Sequence, residues 1–239
     1  MAQPLLTRFL QPLLAGRRAE CFSMIQEAAD NGMPAATLLC EVIWPAMSQV
    51  DRLFRDDRIS GAAANMATRI NRTAADQLQA RLPRRLANGK RAILLCTEDP
   101  QEEIGCQIVA DLFGAEGWEV YFLGGGVPDD EILTLVGQVR PDVLVIFGTN
   151  PQGAPLVRNL IGLIRDVNAC PSMNIIVSGG VFNRADGLWR EVGADVFADA
   201  ATDVLSVAGT LSPRAPGAPT RVGVVKKRRR RRKLQPALA

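Results

Sequence analysis

Apolar side chains recur at helical spacing through the first third of this 239-residue chain. Phe22, Ile25, Ala28 and Ala29 fall on one helical face, as do Leu38, Leu39, Val42 and Ile43, then Met47, Val50 and Phe54. Asn31-Gly32 is a stop signal, and Pro34 suits the first turn of the next helix. Asp56-Asp57 interrupts the pattern before Ile59, and a stretch rich in Ala, Met and Gln runs without proline from Ser60 to about Leu82. Four or five helices and no strand are predicted over residues 1–87, a compact bundle.

Beyond about Lys90 the period changes. Apolar runs (AILLC, WEVYFLG, DVLVIFG, MNIIVSGG, ADVFA) alternate with helical patterns over Ile104–Gly117, DDEILTLVGQV, APLVRNLIGLIRDV, Arg184–Val192 and ATDVLSVAGTL. Short buried strands alternating with helices predict an α/β unit over residues 90–211, a doubly wound, five-stranded parallel sheet of flavodoxin-like type. A ligand of such a sheet sits over the carboxyl ends of the strands.

Composition changes the picture in two ways. The chain has no histidine, which excludes Ser-His-Asp and Cys-His nucleophiles, histidine metal sites and imidazole ligation of a haem or corrinoid. Its net charge of +3 conceals an asymmetry. Ten of the 28 basic residues and no acidic one lie beyond Leu211, which leaves 18 basic against 25 acidic residues in 1–211, a net of −7. Residues 212–239 combine SPRAPGAPT with the run Lys226, Lys227, Arg228, Arg229, Arg230, Arg231, Arg232 and Lys233, and are expected to be a disordered basic tail. The five scattered cysteines lack C-x-x-C spacing and are expected to be buried free thiols in a reducing compartment, the cytoplasm. Neither a signal peptide nor a transmembrane segment is expected.

Three of the four loops after the first strands are glycine-rich, so backbone can approach a flat ligand closely. They are Leu123-Gly124-Gly125-Gly126-Val127-Pro128, Phe147-Gly148-Thr149-Asn150 and Ser178-Gly179-Gly180. A helical bundle followed by this sheet resembles the cobalamin-binding two-domain module of corrinoid methyltransferase carriers, methionine synthase and cobalamin-dependent light-responsive regulators. The resemblance covers roughly residues 10–210. It rests on the cap sequence from Leu13 to Ser60, with its proline after Trp44, on a match to L-G-x-x-V-P at 123–128, and on the glycine pair Gly179-Gly180. The segment from Pro100 to Gly105 falls on the family motif D-x-H-x-x-G, with Pro100 in place of the aspartate and Glu102 in place of the cobalt-ligating histidine. Phe147 aligns with the serine common after strand three. Phe54, Ala64 and Asn65 stand where the regulators place a Trp and a Glu-His pair over the corrin.

The resemblance therefore implies weak cofactor-binding positions at Glu102, Ile104, Gly105, Gly124, Val127, Phe147, Gly148, Thr149, Gly179, Gly180, Phe54 and Asn65. Asp99, Pro100 and Glu102 also read as a capping-box-like helix start, and Asp129-Asp130-Glu131 as an acidic first turn. No nucleophile-base pair, metal cluster or Walker lysine stands out, so no enzyme and no metal site is expected. The expectation is a non-enzymatic regulator or sensor of this family, acting through nucleic acid or an acidic protein at the basic tail, with homo-oligomerisation open. The alternative is a corrinoid carrier or light/cobalamin sensor that holds cobalamin without a lower ligand from the protein. For the tail, a membrane surface is the third candidate partner.

Overall fold

The computed structural model describes residues 2–97, 100–148 and 150–215, the side chains of residues 100–102 excepted. The predicted tail beyond Ala215, and Glu98, Asp99 and Thr149, lie outside the described residues.

The cap is helical, as its periodicity predicts: α1 (Ala2–Leu14), α2 (Arg18–Asp30), α3 (Ala35–Leu38), a π-helical turn (Leu39–Ile43), α4 (Trp44–Arg55) and α5 (Gly61–Gln79). α3, the π turn and α4 follow one another without a break, so Trp44 and Pro45 open α4 from inside a longer helical rod. The carboxyl end of that rod comes at Arg55, where Asp56-Asp57 breaks the helix and Asp57 takes φ +53°. α5 begins on Ser60, whose hydroxyl accepts from the Ala63 N–H, a cap worth about 1 kcal/mol.

The second unit alternates β1 (Arg91–Cys96), α6 (Pro100–Ala115), β2 (Glu119–Gly124), α7 (Asp129–Val139), β3 (Val143–Phe147), α8 (Ala154–Val167), β4 (Asn174–Ser178), α9 (Gly180–Arg184), α10 (Leu188–Glu191), β5 (Val196–Phe197) and α11 (Ala201–Thr210). All pairings are parallel and the strand order is β2-β1-β3-β4-β5, the flavodoxin-like arrangement. α6 starts at Pro100, the first helical position that the helix-start reading gave it and four residues ahead of the apolar pattern from Ile104, because proline is pre-set for a first helical turn. One boundary differs from the sequence reading. The single helix expected over Arg184–Val192 is two short ones, separated by a turn at Ala185–Gly187.

The sheet divides the interior in two. On one face Ala92, Leu94, Cys96, Val145, Phe147 and Ile176 pack with α6 and α11, and this core runs without interruption into the cap through Leu39, Ile43, Val50 and Leu78. On the other face Ile93, Leu95, Leu144, Ile146 and Val177 pack against α7 and α8. The cap thus leans on one face through α5, which lies along α6. Polar side chains form rungs between these helices: the Arg72–Glu103 ion pair, Gln107 donating to Asp76 (2.6 Å), and Gln79 bonded to Asp111. Burial, then Asp76, pushes the Asp111 carboxyl up to about 6.

Candidate functional site

α4 lies over the carboxyl ends of the strands, and a cleft of about 210 Å³ remains between them. Its roof is Trp44, Met47, Ser48, Asp51 and Arg55, a face at i, i+3, i+4, i+7 and i+11 of one helix. Its floor is Gly105 of α6, Phe147 at the end of β3, and Gly179-Gly180 after β4, with Asn183 and Arg184 at the side.

The floor is shaped by close backbone. Gly179 takes φ +102°, and a Cβ there would stand 2.4 Å from the carbonyl oxygen of Gly148, so only glycine fits. Phe147 fills the centre. It is 1% exposed, meets the Trp44 ring edge-on at 5.9 Å between centroids, and lies 3.5 Å from where a Cβ on Gly105 would be. Phe147 pairs in register with Cys96 and Ser178, so the three side chains form a row on one sheet face. The hydroxyl of Ser178 is fully buried and has no hydrogen-bond partner among the described residues.

Charge crosses the cleft at its rim. The Asp51 carboxylate receives the Arg55 Nε at 3.0 Å along α4 and faces Arg184 Nη1 at 3.6 Å from the sheet unit. Burial and the neighbouring Arg55 draw Arg184 below the ordinary guanidinium range, and Asp51 opposes them. The Trp44–Phe147 contact and the Asp51–Arg184 ion pair therefore join roof to floor.

Of the residues singled out in the sequence, Gly105, Phe147, Gly179 and Gly180 converge on this cleft. Gly148 backs its floor through Gly179, and Ile104 is fully buried in the core beneath. Gly124 and Val127 lie elsewhere: Gly124 approaches Glu103, and Val127 lines a separate cavity of about 400 Å³ between α7 and α8. Phe54 and Asn65 are exposed and do not line the cleft, Phe54 turning toward Gly61 and Asn65 facing outward from α5. The buried face of α5 carries Ala64 and Thr68 instead. Thr149, the Glu102 side chain and residues 226–233 lie outside the described residues. Sequence reasoning missed the roof, although its helical spacing was present in the chain. It passed over Asp51, Asn183 and Arg184 because their meeting is a long-range event.

Among the described residues no group of three or more Cys, Asp or Glu side chains is placed to hold a metal ion. The cysteines are free thiols, four of them buried, and burial pushes Cys21 and Cys40 up to about 11, which suits packing rather than reactivity. No described helix is long and apolar enough to cross a membrane.

Two family matches cover the two units. The B12 binding domain family matches residues 90–208, and a second B12 binding domain family matches residues 5–79. Monomethylamine corrinoid protein 2 of Methanosarcina acetivorans is 22% identical over 196 residues, 80% of this chain and 89% of its own. Dimethylamine corrinoid protein 2 of the same organism is 24% identical over 191 residues, covering 77% and 86%. Among solved structures, the Methanosarcina barkeri monomethylamine corrinoid protein superposes with a TM-score of 0.77 at 19% identity, over 87% of this chain and 98% of that one. That likeness establishes the shared fold.

Proposed function

This chain belongs to the two-domain B12-binding family, and from that premise we propose that it is a non-enzymatic corrinoid carrier or sensor that supplies no protein ligand to cobalt. The observation that carries the reading is the cleft itself. A helix face from the cap lies over bare glycine backbone at the carboxyl ends of a doubly wound sheet, where such folds bind ligands. The names of the curated relatives support a corrinoid as the ligand class.

The residues present fit such a ligand in one mode and not in another. Gly105, Gly179 and Gly180 offer backbone to a flat ring, and the unpartnered Ser178 hydroxyl offers a polar contact beneath them. A histidine-ligated corrinoid does not fit, because the chain contains no histidine. Phe147 fills the floor of the cleft with a buried ring, which offers no ligand atom to a metal. The reading is therefore a corrinoid that keeps its own lower ligand. When bound, it supplies the cobalt centre. The protein's part is to orient and cover: Trp44 and Met47 exclude water from the upper side, and Asp51 and Arg184 hold roof to floor. A cleft of about 210 Å³ is smaller than the roughly 300–1,000 Å³ of ordinary ligand sites, so α4 must lift to admit a macrocycle.

Titration with methylcobalamin and adenosylcobalamin, in the dark and after illumination, tests this. The expected result is saturable micromolar binding with the visible spectrum of the free, self-ligated cofactor. Absence of saturable binding overturns the reading. It would favour the second one, a ligand-free regulatory module acting through protein or nucleic-acid contacts, which the aromatic filling of the cleft supports.

A further inference from the structure

A larger cavity, about 570 Å³, opens at the opposite end of the sheet, where the strands begin. That volume falls within the roughly 300–1,000 Å³ of ordinary ligand sites. Three cationic residues line it: Lys90 and Arg91 at the start of β1, and Arg140 after α7. The carboxyl ends of α7, α8 and α11 border the same space, and helix ends of that polarity draw cations for structural reasons alone. Lys90 answers to that account. Its Nζ donates to the Gly209 carbonyl of α11 at 3.0 Å and lies 5.2 Å from the centre of the Trp118 ring. The guanidinium groups of Arg91 and Arg140 do not, since neither makes a hydrogen bond or ion pair among the described residues. The carboxylate on the wall, Asp142, accepts from the Arg91 backbone N–H at 2.8 Å. The lining is thus cationic by two charges, on a body whose first 211 residues carry a net of −7.

Leu211 and Pro213 form an apolar wall of this cavity together with Trp118, and their segment is pinned there. Asn174 Nδ2 donates to the Ser212 carbonyl at 2.9 Å, and the Arg214 N–H donates to the Ser172 carbonyl at 2.9 Å. Arg214 Nε meets one oxygen of Asp195 at 3.0 Å, while the other oxygen takes the Ile175 N–H at 2.7 Å and pairs with the buried Arg165. The wall is therefore in place before any ligand arrives, which spares the cost of ordering it. Trp118 is 7% exposed, and its indole N–H makes no hydrogen bond among the described residues. Arg140 is held as well. It closes α7 at φ +49°, the left-handed conformation that favours glycine, with its N–H on the Val136 carbonyl. A glycine would make that turn more easily and would take the cation away from the cavity.

We propose that this cavity is a second ligand site, for a small organic anion that carries a carboxylate or phosphate on a compact apolar body. Arg91 and Arg140 receive the oxyanion, which arginine binds through paired N–H donors. Trp118, Leu211 and Pro213 cover the apolar body, and the indole N–H offers one further donor. Carboxylate and phosphate present the same chemistry to a guanidinium, so the group that fits better is a matter for the choice of probe. The proposal does not depend on corrinoid binding, because the cleft under the cap lies at the other end of the strands.

Nuclear magnetic resonance of the full chain, read at the indole N–H of Trp118, tests it. The chain has three tryptophans, so Trp44→Phe and Trp189→Phe identify the Trp118 signal by elimination. Benzoate and phenyl phosphate are titrated as probes, and the tighter of the two names the favoured oxyanion. The expected result is a saturable shift of the Trp118 signal below about 1 mM, with the Trp44 and Trp189 signals unmoved. Arg91→Gln and Arg140→Gln should each weaken binding about tenfold, and the two together about a hundredfold. Benzyl alcohol, which has the apolar body without the charge, should leave the signal in place. Circular dichroism checks that each variant folds. The proposal is overturned if neither anion moves the Trp118 signal, or if the double glutamine variant binds as the unaltered chain does. Binding of benzyl alcohol as tight as that of the anions also overturns it.

Discussion

The two ends of one sheet differ in what stands over them. At the carboxyl ends of the strands, glycine backbone meets a helix of the cap, and Trp44 and Phe147 close the space to about 210 Å³. At the amino ends nothing from the cap intrudes, and about 570 Å³ stays open under three cationic side chains. At the end where this fold conventionally takes a ligand, the space under the cap is the filled part, while a cavity of about 400 Å³ remains beside Cys96, Thr97 and Val127. A family site and an accessible site are therefore separate properties. The first follows from strand order and glycine positions; the second depends on which side chains stand at a few strand ends.

Phe147→Ala should break the contrast most severely. Removing a ring that is 1% exposed costs about 3–4 kcal/mol of stability by chemical denaturation. The variant should also take methylcobalamin more tightly than the unaltered chain, since the ring is what fills the floor. At the other end, Asp195→Ala removes the carboxylate between Arg165 and Arg214 and leaves a guanidinium that is 5% exposed without its counter-charge. About 3 kcal/mol is expected in thermal unfolding, together with faster proteolysis after Leu211. Corrinoid titration should be unchanged, which separates the two ends.

Asp111→Asn probes the helix pair that joins cap to sheet. The fold raises this carboxyl from 3.8 to about 6, so the native state favours the neutral form more than the unfolded chain does. Stability from this group is present below pH 4 and is lost as pH rises to 6 and beyond. The amide should therefore stabilise the protein by about 1 kcal/mol at pH 8, an effect that disappears near pH 3.5. Smallest is Asp51→Asn, where a partly exposed pair across the rim is worth at most about 0.5 kcal/mol. Its readout is kinetic: Trp44 fluorescence should be more readily quenched by iodide, and corrinoid entry should be faster.

Much of this fold was legible because its central strands are buried on both faces. Runs such as Val143–Phe147 and Asn174–Ser178 are continuous, and the limits of α7 and α8 coincide with the DDEILTLVGQV and APLVRNLIGLIRDV patterns. The glycine floor was legible too, since Gly179 is required by the approach of Gly148. The roof was not. Periodicity groups Met47, Val50 and Phe54 as one apolar face, but Val50 enters the core, Met47 reaches the cleft and Phe54 stays 43% exposed. A helix flanked by core on one side and a cleft on the other carries two stripes, and spacing alone does not tell them apart. The Asp195 triad and the Asp51–Arg184 pair join residues far apart in sequence, which no local pattern encodes.

The strap between the two units fixes how the cleft can open. Residues 80–90 are tied to the far end of α6: the Arg85 N–H donates to Ala115, the Asn88 N–H to Gly117, and the Leu86 carbonyl lies where a Cβ of Gly117 would be, at 2.1 Å. The rungs along α5 and α6 run from Arg72–Glu103 near the cleft to Gln79–Asp111 near this strap. The pivot and the mouth thus stand at opposite ends of a 16-residue helix, roughly 24 Å apart. A cap hinged there is a lever: a tilt of about 10° raises the far end by roughly 4 Å, by simple proportion to that helix length. Because one core runs from Leu39, Ile43 and Val50 into the sheet face, such a tilt would have to part that packing near the mouth, while Leu78 and the strap stay together.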